Sequence, residues 1–86
     1  ASTDAVVLGI YHDFIHRFRG RTGADQEKTT YLKTHLPRAE ERLEQHYSIR
    51  AAYYTALMKV NLAILTSDFK NGVQAAERAI ELIETH

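Results

Sequence analysis

The sequence contains no cysteine and no tryptophan, and its single proline is Pro37. Without cysteine the chain can form neither a disulfide scaffold, nor a thiolate zinc site, nor a thiol nucleophile. Eleven basic and eleven acidic side chains give a formal net charge of zero. General electrostatic attraction to nucleic acid or to an anionic membrane is therefore absent, and such a partner would have to be bound by a local patch.

The sequence also lacks an apolar run of the roughly 18 residues that a membrane-spanning helix needs, because Lys59 and Asn61 interrupt the longest candidate. The first residues, ASTDAVVLGIYHDF, have no basic leading region and so do not resemble a signal peptide. We expect no membrane association and a cytoplasmic location. At 86 residues the chain predicts one domain with a modest core, for which self-association is a common way to cover apolar surface.

Apolar residues recur at helical spacing along most of the chain, which predicts an all-α fold. We predict a first helix over residues 3–19, because Ser2, Thr3 or Asp4 can cap its beginning and Gly20 can end it in a left-handed conformation. A short second helix is predicted over residues 25–35. Pro37 suits the first turn of a new helix, and neither glycine nor proline follows it before Ser67. The pattern therefore predicts one unbroken third helix over residues 37–66, about 43 Å long at the helical rise per residue.

A last helix begins at Ser67 or Asp68, and its apolar stripe consists of Phe69, Val73, Ala76, Ile80 and Ile83. Because residues 66–68 form a short turn, we expect the third and fourth helices to make an antiparallel helical hairpin. The expected fold is a small helical bundle of three main helices plus one short helix, in which the first, third and fourth helices form the bundle. Residues 51–65 would be its central element, with more apolar circumference than two neighbours can cover.

The segment SDFKNGVQAAERAIELI resembles the turn and second helix of a tetratricopeptide repeat. The positions that correspond to the turn, to the aromatic positions and to the small positions of that repeat are Ser67, Phe69, Gly72, Ala76 and Ala79. The preceding helix departs from the repeat pattern, since Lys59 and Val60 stand where leucine and glycine are expected. The resemblance implies a close-packed helical hairpin, because a solenoid would need about three such repeats.

The five tyrosines are many for a chain of this length. Tyrosine is favoured at protein interfaces because it combines a large apolar ring with a hydroxyl that tolerates water. Packing at the edge of the core is the alternative role for these side chains. The predicted interaction surface lies on the long third helix and consists of Tyr47, Arg50, Tyr53, Tyr54, Met58 and Asn61. Asn61 belongs to it because a polar residue in an apolar seam can set the register of helix pairing.

Two histidines of the first helix suggest a metal site. His12 and His16 stand four residues apart on one helical face, which suits two imidazoles on one divalent ion such as zinc, nickel or copper. A third ligand would have to come from His35, His46 or a glutamate. The alternative is that both are solvated residues on the polar face of the helix.

A group of arginines suggests a nucleic-acid contact. Arg17, Arg19 and Arg21 surround a glycine and would be able to bind phosphates. The alternative is that they neutralise the carboxyl end of the first helix and acidic residues of the last one. At zero net charge we expect nucleic acid to be the less favoured partner.

The sequence contains no Gly-flanked serine elbow, no phosphate-binding loop and no Glu-x-x-His pair of a di-iron bundle. We therefore predict no enzymatic activity and no cofactor. The predicted function is that of a small protein-interaction module, an adaptor, regulator or chaperone, that acts through helix-helix surfaces on a protein partner or as a homodimer. The alternative is a small helical protein that binds nucleic acid or metal through the arginine or histidine patch.

Overall fold

The computed structural model describes residues 2–85, which form four α-helices and no strand. They are α1 (Thr3–Phe18), α2 (Asp25–Gln45), α3 (Ile49–Leu65) and α4 (Phe69–Thr85). The prediction of an all-α fold is confirmed. Both ends of α1 follow the sequence signals, since the hydroxyl oxygen of Ser2 accepts a hydrogen bond from the N–H of Ala5, and Gly20 follows the helix with a φ of +70°.

The predicted boundary between the second and third helices is wrong. α2 continues through Pro37 for 21 residues, and the chain leaves helical geometry at residues 46–48 instead. Pro37 lacks the N–H that would pair with the carbonyl oxygen of Lys33. Both residues are exposed, so the missing hydrogen bond falls on the side of the helix where water can replace it. The fold thus has four helices of 16, 21, 17 and 17 residues, and none of them is short.

The break at residues 46–48 is held by the first turn of α1. His46 ends α2 with an extended backbone, and Ser48 starts α3 with a side-chain oxygen that accepts a hydrogen bond from the first turn of that helix. The hydroxyl of Ser48 donates to the carboxylate of Asp4, and the hydroxyl of Thr3 donates to the carbonyl oxygen of His46 at 2.6 Å. The bond from Thr3 satisfies a backbone carbonyl oxygen that an unbroken helix would have paired internally.

The hydrophobic core lies where α1, α2 and α3 meet. Its fully buried large side chains are Val7, Leu32 and Met58, one from each of these helices. α4 contacts α3 but neither α1 nor α2 within the described residues. The expected bundle of the first, third and fourth helices is therefore wrong in its membership, because α2 belongs to the core and α4 is an outer helix.

α4 runs back along α3 from a turn in which Ser67 has a φ of +57°. Near this turn Gly72 lies so close to α3 that a Cβ atom built on it would stand 3.1 Å from the Cβ atom of Ala63. Farther along α4, a guanidinium nitrogen of Arg78 donates a 2.9 Å hydrogen bond to the hydroxyl of Tyr47, which precedes α3. Small residues thus bring the two helices close together.

Candidate interaction surface

One side of α4 presents large apolar side chains to solvent. We call Phe69, Val73, Ala76, Ile80 and Ile83 the α4 stripe. Its four large side chains, together with Ile64 of α3, are between 54% and 70% exposed. The sequence pattern suggested that this stripe packs within the bundle, but the residues of α4 that are buried are Ala75, Ala79 and Leu82.

The stripe is exposed because the apolar arc of α4 is wider than its contact with α3. The small residues Gly72, Ala75 and Ala79 lie beside the stripe on the helix surface and form the contact side. Since α3 is the one helix that α4 contacts among the described residues, the remaining apolar side of α4 stays open. The stripe was visible in the sequence, and the adjacent row of small residues was the signal that a different side would pack.

α3 continues the exposed apolar surface. We call Tyr53, Leu57, Val60 and Ile64 the open α3 face; the first three are half-buried and Ile64 is exposed. Residues on the opposite sides of the same two helices line a cleft toward α2, and these residues include Thr55, Lys59, Gln74 and Arg78. The α4 stripe and the open α3 face therefore lie on the same side of the two helices, away from α2.

The predicted interaction residues do not form one surface. Met58 is fully buried in the core and has no surface to offer a partner, so its assignment was wrong. Asn61 is exposed and donates a 2.9 Å hydrogen bond to the carbonyl oxygen of Leu57, so it does not occupy an apolar seam. The prediction placed Met58 and Asn61 on one face with Tyr47 because it assumed a continuous helix. The break at residues 46–48 separates Tyr47 from α3, so helical spacing no longer relates it to the other two residues.

The remaining predicted residues divide between packing and surface roles. The half-buried ring of Tyr54 packs against that of Tyr11 of α1, with ring centroids 4.8 Å apart, and against that of Tyr53 at 5.3 Å. Tyr54 thus joins α1 to α3. Tyr47 and Arg50 are exposed, and Tyr47 lies at the edge of the cleft between α2 and α4. Of the predicted set, Tyr53 alone belongs to the open α3 face.

The cleft between α2 and α4 has a volume of about 920 Å³ and is floored by α3. An ion pair of 2.8 Å between Lys59 and Glu40 joins α3 to α2 at its edge. Thr55 at the floor is 3% exposed, and its hydroxyl has no hydrogen-bond partner among the described residues. The cleft is mainly a consequence of the distance between α2 and α4, which are not in contact.

Two of the three predicted nucleic-acid-binding arginines have acidic partners. Arg17 lies 3.3 Å from the carboxylate of Asp13, and Arg21 lies 3.0 Å from that of Glu27. Arg19 is exposed. These ion pairs reduce the local positive charge that a phosphate would meet.

His12 and His16 are both exposed on α1. Within residues 2–85 no group of three or more histidine, aspartate or glutamate side chains is placed to hold a metal ion. The predicted metal site therefore has two candidate ligands and stays a prediction.

The best-defined polar cluster connects α1 to α2. The hydroxyl of Tyr31 donates a 2.7 Å hydrogen bond to the carboxylate of Asp13. This bond, with the nearby charge of Arg17, holds the pKa of Asp13 below its usual value. Partial burial and the hydrogen bond to Asp13 raise the pKa of Tyr31. The cluster thus links α1 to α2.

Comparison of the chain with protein-family models, with curated proteins and with solved structures finds no significant match. None of the helices within residues 2–85 has both the length and the apolar character needed to cross a membrane.

Proposed function

We propose that this protein is a small non-enzymatic interaction module that binds protein helices through the α4 stripe and the open α3 face. The observation that carries the proposal is the exposure of five large apolar side chains on one side of two helices. Covering such a side chain contributes roughly 1.5–3 kcal/mol when its burial is complete. A partner that covers this side would therefore gain substantial binding free energy.

The size of the surface supports this role. Five side chains that each offer about 150–200 Å² and are more than half exposed present about 500 Å² of apolar area, before the half-buried residues of the open α3 face are added. The largest apolar patch of a typical monomer covers about 300–600 Å² and often belongs to a binding site. The surface thus has the size of a patch that often serves as a binding site.

The shape of the surface favours a helical partner. The α4 stripe repeats at intervals of three and four residues, so its side chains form a ridge along one helix. The open α3 face forms a second ridge beside it. Ridges of this kind pack into the grooves of another helix, which is the basis of helix-in-groove recognition. Adaptor, regulator and chaperone are all roles that such a surface can serve, and a cytoplasmic location remains our prediction.

The test is the loss of binding when the stripe becomes charged. The variant Val73→Glu/Ile80→Glu places two carboxylates in the stripe, and Gln74→Glu/Thr85→Glu is a control that adds the same two charges on the side of α4 away from the stripe. Partners captured by the wild type should be purified and their binding measured by calorimetry. We expect the stripe variant to lose binding and the control to retain it, while circular dichroism shows both to be helical. Equal binding by the stripe variant would refute the proposal.

Binding of nucleic acid by the arginine patch, or of metal by the histidine pair, remains an alternative prediction. The ion pairs of Arg17 and Arg21 and the exposure of His12 and His16 favour neither nucleic acid nor metal over the apolar surface. We therefore base the proposed function on α3 and α4.

A further inference from the structure

We infer that the α4 stripe binds the α4 stripe of a second copy of this chain, with the two helices antiparallel across a twofold axis. The inference rests on the proposed function, because it names the partner of the same surface. Three features carry it: the symmetry of the stripe along the helix, the charges beside it, and the area that it offers.

The stripe has the spacing of a coiled-coil seam. Its members lie at positions 69, 73, 76, 80 and 83, so intervals of four and three residues alternate over two heptads. This spacing also alternates when it is read in reverse. An antiparallel second copy therefore brings Phe69 opposite Ile83 of the second copy and Val73 opposite its Ile80. Ala76 meets Ala76 of the second copy at the axis, where the small side chain permits close approach of the helices.

The charges beside the stripe distinguish the two possible orientations. Lys70, Glu77 and Glu84 are exposed and follow one another at seven-residue intervals along the edge of the stripe that faces away from α3. In an antiparallel pair Lys70 lies beside Glu84 of the second copy, and the twofold axis makes this ion pair twice. Glu77 then lies near Glu77 of the second copy at the axis. The pair therefore has one unfavourable contact between like charges and two favourable ion pairs.

A parallel pair would have a poorer arrangement of charges. A twofold axis parallel to the helices would place the edge with Lys70, Glu77 and Glu84 against the opposite edge of the second copy's α4, where Gly72 and Ala79 lie. The parallel orientation would therefore lack the two ion pairs that the antiparallel orientation forms. The charge pattern thus selects the antiparallel pair.

The available area agrees with a dimer of moderate stability. A standard protein interface buries about 800 Å² on each partner. The exposed side chains of the α4 stripe and Ile64 provide a large part of this area, and the half-buried Tyr53, Leu57 and Val60 lie next to them on the open α3 face. Pairing through α4 would therefore also bring the open α3 face of each copy toward the second copy.

The absence of native cysteine permits a direct test of the orientation. Val73→Cys and Ile80→Cys proteins should be mixed, oxidised mildly, and analysed by intact-mass spectrometry, in which the two variants differ in mass. The antiparallel pair predicts that the mixture forms mainly the mixed disulfide and that each variant alone forms little. A Gln74→Cys protein, with its thiol on the cleft side of α4, is the control. Efficient self-crosslinking of Val73→Cys alone would overturn the antiparallel arrangement.

The charge pattern is tested by sedimentation equilibrium. Glu84→Lys places two lysines together at both ends of the pair and should weaken dimerisation by about tenfold at low salt, since each exposed pair contributes modestly. The charge-exchanged variant Lys70→Glu/Glu84→Lys should recover the wild-type dissociation constant. Failure of this exchange to restore dimerisation would overturn the role assigned to these charges.

The oligomeric state separates this inference from the proposed function. A wild-type protein that remains monomeric at about 100 μM, where even weak dimers form, would overturn self-pairing. If that monomer bound a purified partner and lost it in Val73→Glu/Ile80→Glu, the proposed function would stand without the inference. A monomer that bound no helical partner would overturn both.

Discussion

Thr3 of α1 donates a hydrogen bond of 2.6 Å from its hydroxyl to the backbone carbonyl oxygen of His46, which lies 43 residues farther along the chain. His46 ends α2, so this bond joins the beginning of one helix to the end of another. Thr3 is buried, which protects the bond from water. The neighbouring bond from Ser48 to Asp4 makes a second link at the same place. Two hydrogen bonds thus connect the break between α2 and α3 to the first turn of α1.

Replacement of Thr3 by valine should lower the free energy of unfolding by about 1–2 kcal/mol, because the shape is kept while the carbonyl oxygen of His46 loses its donor. Thr3→Ser is the matched control, since it retains the hydroxyl and removes a methyl group. Chemical denaturation followed by circular dichroism measures both. A Thr3→Val protein as stable as the wild type would show that water replaces the bond at no cost.

Thr55→Val should raise the free energy of unfolding by about 1 kcal/mol, because it removes a buried hydroxyl without a hydrogen-bond partner and keeps the shape of the side chain. The control Thr55→Ser keeps the hydroxyl and removes the methyl group, and it should be less stable than the wild type. Denaturant titration of the three proteins provides the comparison. A loss of stability in Thr55→Val would mean that the hydroxyl is satisfied in solution, for example by a water molecule.

The two helical glycines should respond differently to alanine. A Cβ atom added at Gly9 meets nothing within 4 Å, so Gly9→Ala should stabilise the protein by about 1 kcal/mol through helix propensity alone. At Gly72 the same gain is opposed by the 3.1 Å approach to the Cβ atom of Ala63. Gly72→Ala should therefore gain less than Gly9→Ala, and Gly72→Leu should be destabilised. Equal gains at both positions in thermal and denaturant unfolding would contradict the close packing of α3 and α4.

The bond between Tyr31 and Asp13 predicts a pH dependence of stability. The pKa of Asp13 is lower in the folded protein than its ordinary value of 3.8. The contribution of Asp13 to the free energy of unfolding is therefore present above about pH 4 and is lost as the pH falls through the lowered pKa. The pKa of Tyr31 is raised from 10.0, so its contribution is present below about pH 10 and is lost as the pH rises through the raised value.

The variant Tyr31→Phe should flatten both of these dependences, because it removes the hydroxyl and leaves the ring. Tyr47→Phe, at an exposed tyrosine, serves as the control and should keep the acid dependence. Free energies of unfolding measured over a series of pH values test the acid limb, and the ultraviolet absorbance of the phenolate tests the alkaline limb. An unchanged acid limb in Tyr31→Phe would show that Asp13 is held by Arg17 instead.

Local sequence signals specify the class of the fold and the ends of several helices. Helical spacing of apolar residues, Ser2 before α1, Gly20 after it and the turn at residues 66–68 all act through neighbours in the chain, so they can be recognised without a structure. The α4 stripe was equally visible, because amphipathic spacing is a local property. The sequence did not show which side of α4 would be covered.

Contacts between residues far apart in the sequence fix where the long helical segment divides and which apolar surface stays open. The bonds of Thr3 to His46 and of Ser48 to Asp4 join residues that are far apart in sequence, and they make the break favourable where no glycine or proline requires one. Pro37 remains helical because its missing bond lies on the exposed side of α2. α4 packs on α3 through Gly72 and Ala79 because small residues allow the helices to approach, and the larger side chains of the stripe are left for a partner.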